Sequence, residues 1–170
     1  MFLFLAANIS YSQGFNKYRL RDYDKIVVVT KGSSIFIETY KESYGGKWTI
    51  DDVYRLGPSA KRTLLNGLDK TIEWAELNVG HKKEFQKEVC CRFKVMNKDT
   101  YEFHGYVEEF TTEFNMIFRG HSDGTFELVI GSVGSRLSFL ELYSKKEIKD
   151  LKDMLNGKSV NEEIDDIFKN

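Results

Sequence analysis

Three histidines, two adjacent cysteines and one adjacent glutamate pair hold most of the chemistry this chain could offer. His104 falls in a run, Tyr101 to Val107, that reads as a strand, and side chains two apart on a strand share a face. Glu102 and Tyr106 then stand with it on the outward side, next to a strand presenting Glu113, Asn115 and Arg119. A histidine between a carboxylate and a phenol can hold a polar ligand or act as a general base. The same pattern is also the ordinary solvated side of a half-buried sheet, held by cross-strand charge pairs. His121 and Asp123 lie two apart in a glycine-flanked loop, where a metal site would need a further ligand that spacing does not supply. His81 follows the longest helical pattern, and a cation there complements the helix dipole.

The paired residues offer less. Neighbours on an extended chain point in opposite directions, so Glu108 and Glu109 cannot flank one bond. For the same reason a disulfide between Cys90 and Cys91 would need strained geometry, and both are read as thiols. Cys91 shares the alternating face of Val89, Phe93 and Val95 and is expected in the core, with Cys90 outward. No metal ligand set or cofactor is expected. Phosphate loops, the zinc helix pattern His-Glu-x-x-His, the nucleophile elbow and paired Cys-x-x-Cys are all absent from the sequence. Gly131 to Ser135 is small-residue rich but joins two strands, which makes it a β-connection. A different kind of site is suggested by Trp48 with Tyr40, Tyr44 and Tyr54 around the Gly45–Gly46 pair. Aromatics in a loop form either a recognition surface or a lid over the core. The candidate binding residues are therefore Tyr44, Trp48, His104 and Tyr106.

The elements that must position these residues follow from hydrophobic period. Lys25 to Thr30 and Ser34 to Tyr40 read as a hairpin around Lys31-Gly32-Ser33. Lys41 to Gly57 shows no clean period and reads as a loop with room for a short strand or turn. Pro58 suits the first position of a helix, and Leu64, Leu68, Ile72, Ala75 and Val79 trace one face of it from Ser59 to Val79. Leu65, Trp74 and Leu77 widen that stripe, and Gly67 within it marks a close approach to a strand. Val89 to Met96, Tyr101 to Val107, Phe110 to Phe118, Phe126 to Ile130 and Leu137 to Tyr143 read as five further strands, with the phenylalanines of the third in the core. Capping boxes at Ser144 to Glu147 and Ser159 to Glu162 open two short helices, separated by Gly157.

The expected fold is α+β: about seven mostly antiparallel strands in the order ββ-α-βββββ-αα, packed on one long helix, as a single domain over residues 13–170. Seven strands and a closing helix resemble a PH-like roll in element count, although the long helix between strands two and three departs from that plan; the likeness is topological and carries no residue roles. Residues 1–12 read as the end of a truncated secretory signal, an apolar stretch followed by small residues around a cut between Ser12 and Gln13. An edge strand or an unstructured terminus is the alternative. The apolar stretch is too short to span a bilayer.

Twenty-five Lys and Arg against 26 Asp and Glu leave a charge of −1, so the general attraction that drives nucleic-acid binding is missing. These readings converge on a non-enzymatic exported bacterial protein, periplasmic or secreted, that binds a protein partner or a small apolar ligand. A cytoplasmic interaction module is the alternative, and a hydrolase using His104 or His121 the third.

Overall fold

The computed structural model describes residues 16–20, 25–31, 35–44, 46–135 and 138–157. The signal-like residues 1–12 and the second C-terminal capping box lie outside them. The fold is α+β, as the sequence implies, with every strand pair antiparallel. Four strands come first: β1 (Asn16–Leu20), β2 (Lys25–Lys31), β3 (Ile35–Ser43) and β4 (Lys47–Leu56). The long helix α1 (Pro58–His81) follows, then β5 (Phe85–Glu88), β6 (Phe93–Asn97), a short helix α2 (Lys98–His104) and a 3-10 turn at Glu108–Phe110. The chain continues through β7 (Thr111–Gly120), β8 (Phe126–Ser132), β9 (Ser138–Leu142) and α3 (Lys145–Asn156). The strands lie in the order β1-β2-β3-β4-β6-β7-β8-β9, with β5 on β7 beyond the end of β6.

The described sheet has nine strands, two more than period alone suggests: β1, β4 and the division of Val89 to Met96 add three, and Tyr101 to Val107 removes one. Lys41 to Gly57 is no loop: β3 and β4 form a hairpin whose turn is closed by Gly46 at φ 76°, a left-handed conformation that costs glycine little. A bulge between Thr39 and Tyr40 leaves Asp51 without an opposite residue, and that extra residue breaks the two-residue period. The Val89 to Met96 strand is two strands with a bend at Cys90 to Arg92. The bend turns Cys91 out to solvent and Cys90 half inward, the reverse of unbroken alternation. Burial pushes the Cys90 thiol's pKa up.

Tyr101 to Val107 is likewise no strand. The Asn97 side chain accepts the Asp99 and Thr100 amides at 2.9 and 3.4 Å, and Gly105 at φ 72° donates to the Tyr101 carbonyl. These two caps enclose a helix where β-favouring side chains alone imply a strand.

Packing holds α1 to one face of the sheet. Leu64, Leu68 and Ala75 are buried against Phe114, Met116, Phe118, Leu128 and Ile130, each large side chain contributing about 1.5–3 kcal/mol by leaving water. A β-carbon on Gly67 would fall on Met116 Cε and Sδ, the close approach that a glycine inside a helix implies. The far end of the stripe departs from expectation, since Leu77 and Val79 are exposed. There Asn78 takes the inward position, and Lys82 ends the helix in the left-handed region at φ 50°. Phe110, expected in the core, is also exposed, because β7 begins only at Thr111.

Helix α3 runs antiparallel to α1, with Lys145 paired to Glu76 and Lys152 to Asp69. Its predicted capping box is present in modified form. Ser144 Oγ accepts the Glu147 amide at 3.2 Å, while the Glu147 carboxylate accepts the amide of Tyr143, one residue earlier than in the standard box, at 2.6 Å.

Candidate functional site

Residues 98–110 connect β6 to β7, two neighbouring antiparallel strands that a tight turn could join. The segment contains α2 and the 3-10 turn and buries none of its helical side chains. It presents three large aromatics to solvent: Phe103 at 83% exposure, Tyr106 at 57% and Phe110 at 46%. The His104 ring lies between two of them, 4.6 Å from Phe103 and 5.0 Å from Phe110 by centroid. The segment is fastened to the sheet through Tyr101, whose ring meets Phe36 edge-on at 6.2 Å and carries the Arg55 guanidinium 4.3 Å from its centroid. Arg55 also approaches the Tyr106 ring, at 5.8 Å.

A cleft of about 600 Å³ opens beside this aromatic surface, between the first turn of α1, strand β6 and the 3-10 turn. That volume lies within the range of ordinary ligand sites. Val95, Met96 and Ala60 form an apolar floor, with Arg55, Lys94 and Tyr106 on the walls. Glu108 ties the wall together by accepting the Tyr106 hydroxyl and pairing with Lys94. Arg92 spans Glu88 and Glu113 at 3.3 Å each.

Hydrogen bonds from Lys94 and Tyr106 hold the Glu108 carboxyl below its usual pKa. The bond to Glu108 raises both Lys94 and Tyr106. All three groups move away from neutrality, whereas an acid–base catalyst at neutral pH needs a pKa near 7. The arrangement is suited to charge recognition. Among the described residues no group of three or more His, Cys, Asp or Glu could hold a metal ion.

The four residues singled out from sequence fall in two places. His104 and Tyr106 belong to the aromatic segment, on a helix end and its exit and not on a strand as expected; of the expected strand partners, Glu113 lines the same cleft as Tyr106, while Asn115 lines the hollow on the sheet face opposite α1. Tyr44 sits fully exposed at the β3–β4 turn, and Trp48 lies on β4 opposite Glu42. From Phe36 to Ser43 the chain covers roughly 23 Å of strand, at about 3.3 Å per residue, so the turn is remote from the Arg55–Tyr101 contact. The other tyrosines of the expected loop cluster are engaged separately. Tyr54 packs against Phe114 and Phe139 at 4.9 and 5.2 Å, and burial followed by the Asp52 charge raises its hydroxyl pKa. The Tyr40 hydroxyl donates to Glu38 at 2.6 Å, a bond that pushes its pKa up to about 12.

His121 lies in the β7–β8 turn, with its carbonyl bound by Asn78 and Gly124. The Asp123 carboxylate is held by the amide and hydroxyl of Thr125, which lower its pKa. Gly131, Ser132, Gly134 and Ser135 line a polar hollow on the sheet face opposite α1. Sequence reasoning missed Phe103, Phe110, Arg55 and Lys94. A signal for Phe103 was present: helix caps at Asn97 and Gly105 enclose too few apolar residues to form a buried stripe.

No family model, curated protein sequence or solved structure matches the chain. None of the described helices is long and apolar enough to cross a membrane.

Proposed function

We propose that this protein is a non-enzymatic binding module whose partner is another protein, docked on the aromatic segment 98–110 and the adjoining cleft. One observation carries the reading: a thirteen-residue connection whose helical turns bury none of their side chains yet expose Phe103, Tyr106 and Phe110. Clustered exposed aromatics beside a cationic side chain are the composition of interface hot spots. The neighbouring cleft, with Arg55 and the Lys94–Glu108–Tyr106 group, supplies polar contacts that set orientation.

A photo-reactive amino acid placed at Phe103, with a second chain carrying it at Tyr44, tests this in the producing cell. The expected result is one dominant cross-linked protein from position 103. Its purified form should bind Phe103→Ala/Tyr106→Ala/Phe110→Ala at least tenfold more weakly than the native chain. Equal cross-linking from position 44 would contradict the assignment.

Export completes the proposal, supported by the apolar run and small residues of Met1 to Ser12. N-terminal sequencing of the protein from fractionated cells should find Gln13 first. Retention of Met1 would remove export from the account and leave the docking surface as proposed.

A further inference from the structure

We propose that the outer edge of β5 accepts an extended peptide in which an apolar residue is flanked, two positions to either side and so on the same face, by acidic residues, and which joins the sheet as an added strand alongside α1. This surface is separate from the aromatic segment. β5 pairs with β7, and among the described residues no strand pairs with its other side. Val89 donates its amide to the Met116 carbonyl at 2.8 Å, continuing the register that sets Glu88 opposite Ile117. Hydrogen-bonded and non-bonded pairs alternate along an antiparallel ladder. Phe85 and Lys87 therefore bond to β7, and the peptide groups of Gln86 and Glu88 face outward. A row of outward amides and carbonyls is satisfied by another extended backbone, which makes a strand the fitting occupant.

The side chains define what that strand carries. Phe85 and Lys87 share the α1 side of β5, where Trp74, Leu77, His81 and Lys83 join them around a trough of about 380 Å³. Its base is apolar: Phe85 stacks on Phe118 at 5.4 Å, and the Lys87 ammonium lies 5.2 Å from the centre of the Trp74 ring. Leu77 is 58% exposed and Phe85 38%, so an apolar side chain entering the trough gains contact with both. Lys83, Lys87 and His81 line it, while the carboxylate of Glu88, next in the chain, is paired to Arg92. An added strand that places an apolar residue in the trough and carboxylates at its rim complements both features.

A fluorescein-labelled octapeptide with a central valine, glutamate two residues to either side of it and threonine elsewhere, titrated against the full chain by anisotropy, provides the probe, with the peptide carrying lysine in place of both glutamates as its comparison. The glutamate peptide should bind with a Kd below about 1 mM, the weakest affinity such a titration resolves. The lysine peptide should bind at least tenfold more weakly. The bound peptide should slow amide hydrogen exchange at Gln86 and Glu88.

Gln86→Pro removes an outward amide while leaving the β7 bonds in place, a position where an edge strand accepts proline; it should cost at least tenfold in affinity. Lys87→Glu, which leaves the backbone intact, should also weaken the glutamate peptide and narrow the gap between the two peptides. Absence of binding, indifference to both substitutions, equal binding of the two peptides, or unchanged exchange at Gln86 and Glu88 would each overturn the proposal.

Discussion

Phe118→Ala is expected to lower the free energy of unfolding by about 3–5 kcal/mol, the range for emptying a large aromatic position in a packed core. Phe118 has no exposed surface, and its ring meets Trp74 at 5.7 Å, Phe85 at 5.4 Å and Phe126 at 5.6 Å. It therefore joins α1, β5 and β8 through one side chain, and the space left by alanine has three walls that cannot all close at once. For a domain of this size the loss corresponds to roughly 10 °C in Tm. Denaturant unfolding gives the energy, and amide exchange gives its distribution. β5 should lose protection at Lys87 and Val89 before β8 does, because Phe85 has few other buried contacts. Phe118→Leu, which keeps most of the volume, should cost under about 1.5 kcal/mol.

The second large effect is expected at Asn78, where alanine should cost about 2–3 kcal/mol. The side chain is 2% exposed. Its amide donates to the carbonyls of His121 and Thr125 at 3.1 and 3.0 Å, and its oxygen accepts the Lys83 amide at 3.1 Å. One residue thus fastens the end of α1 both to the β7–β8 turn and to the start of β5. Alanine leaves two carbonyls and one amide without this partner, and its better helix propensity returns only about 0.5 kcal/mol. Thermal unfolding of Asn78→Ala measures the loss, and faster exchange at Thr125 and Lys83 would assign it to these bonds. A loss below about 0.5 kcal/mol would show that water replaces the side chain at little cost.

What the sequence makes legible follows from how local each signal is. Helix α1 is readable because Leu64, Leu68 and Ala75 repeat over about three turns, and Gly67 is readable because a glycine there needs a packing reason, which Met116 supplies. The N-terminal hairpin, the core strands β7 and β8, and the capped start of α3 each keep a clean period or cap and appear where period places them.

The errors arise where one residue alters phase or type. The bulge at Asp51 hides β4, the bend at Cys90 to Arg92 exchanges the environments of two cysteines, and the Asn97 and Gly105 caps turn a β-favouring run into α2. His104 and Tyr106 were identifiable by type, but their surroundings depend on that last change. The contact of Arg55 with Tyr101 joins residues far apart in sequence, which a periodic pattern cannot encode. Leu77 widens the α1 stripe and so reads as core, yet at that turn of the helix the polar Asn78 takes the inward position, leaving Leu77 and the trough open.

The central claim is that Phe103, Tyr106 and Phe110 face solvent to engage a partner and contribute little to folding. Titration of the purified protein captured at position 103 against the native chain and the triple alanine variant, with unfolding of both chains followed in parallel, tests it most directly. The account predicts at least tenfold weaker binding with the unfolding free energy changed by less than about 1 kcal/mol, as for surface positions. Equal affinity, or a stability loss of about 3 kcal/mol or more of the kind core aromatics produce, would contradict it.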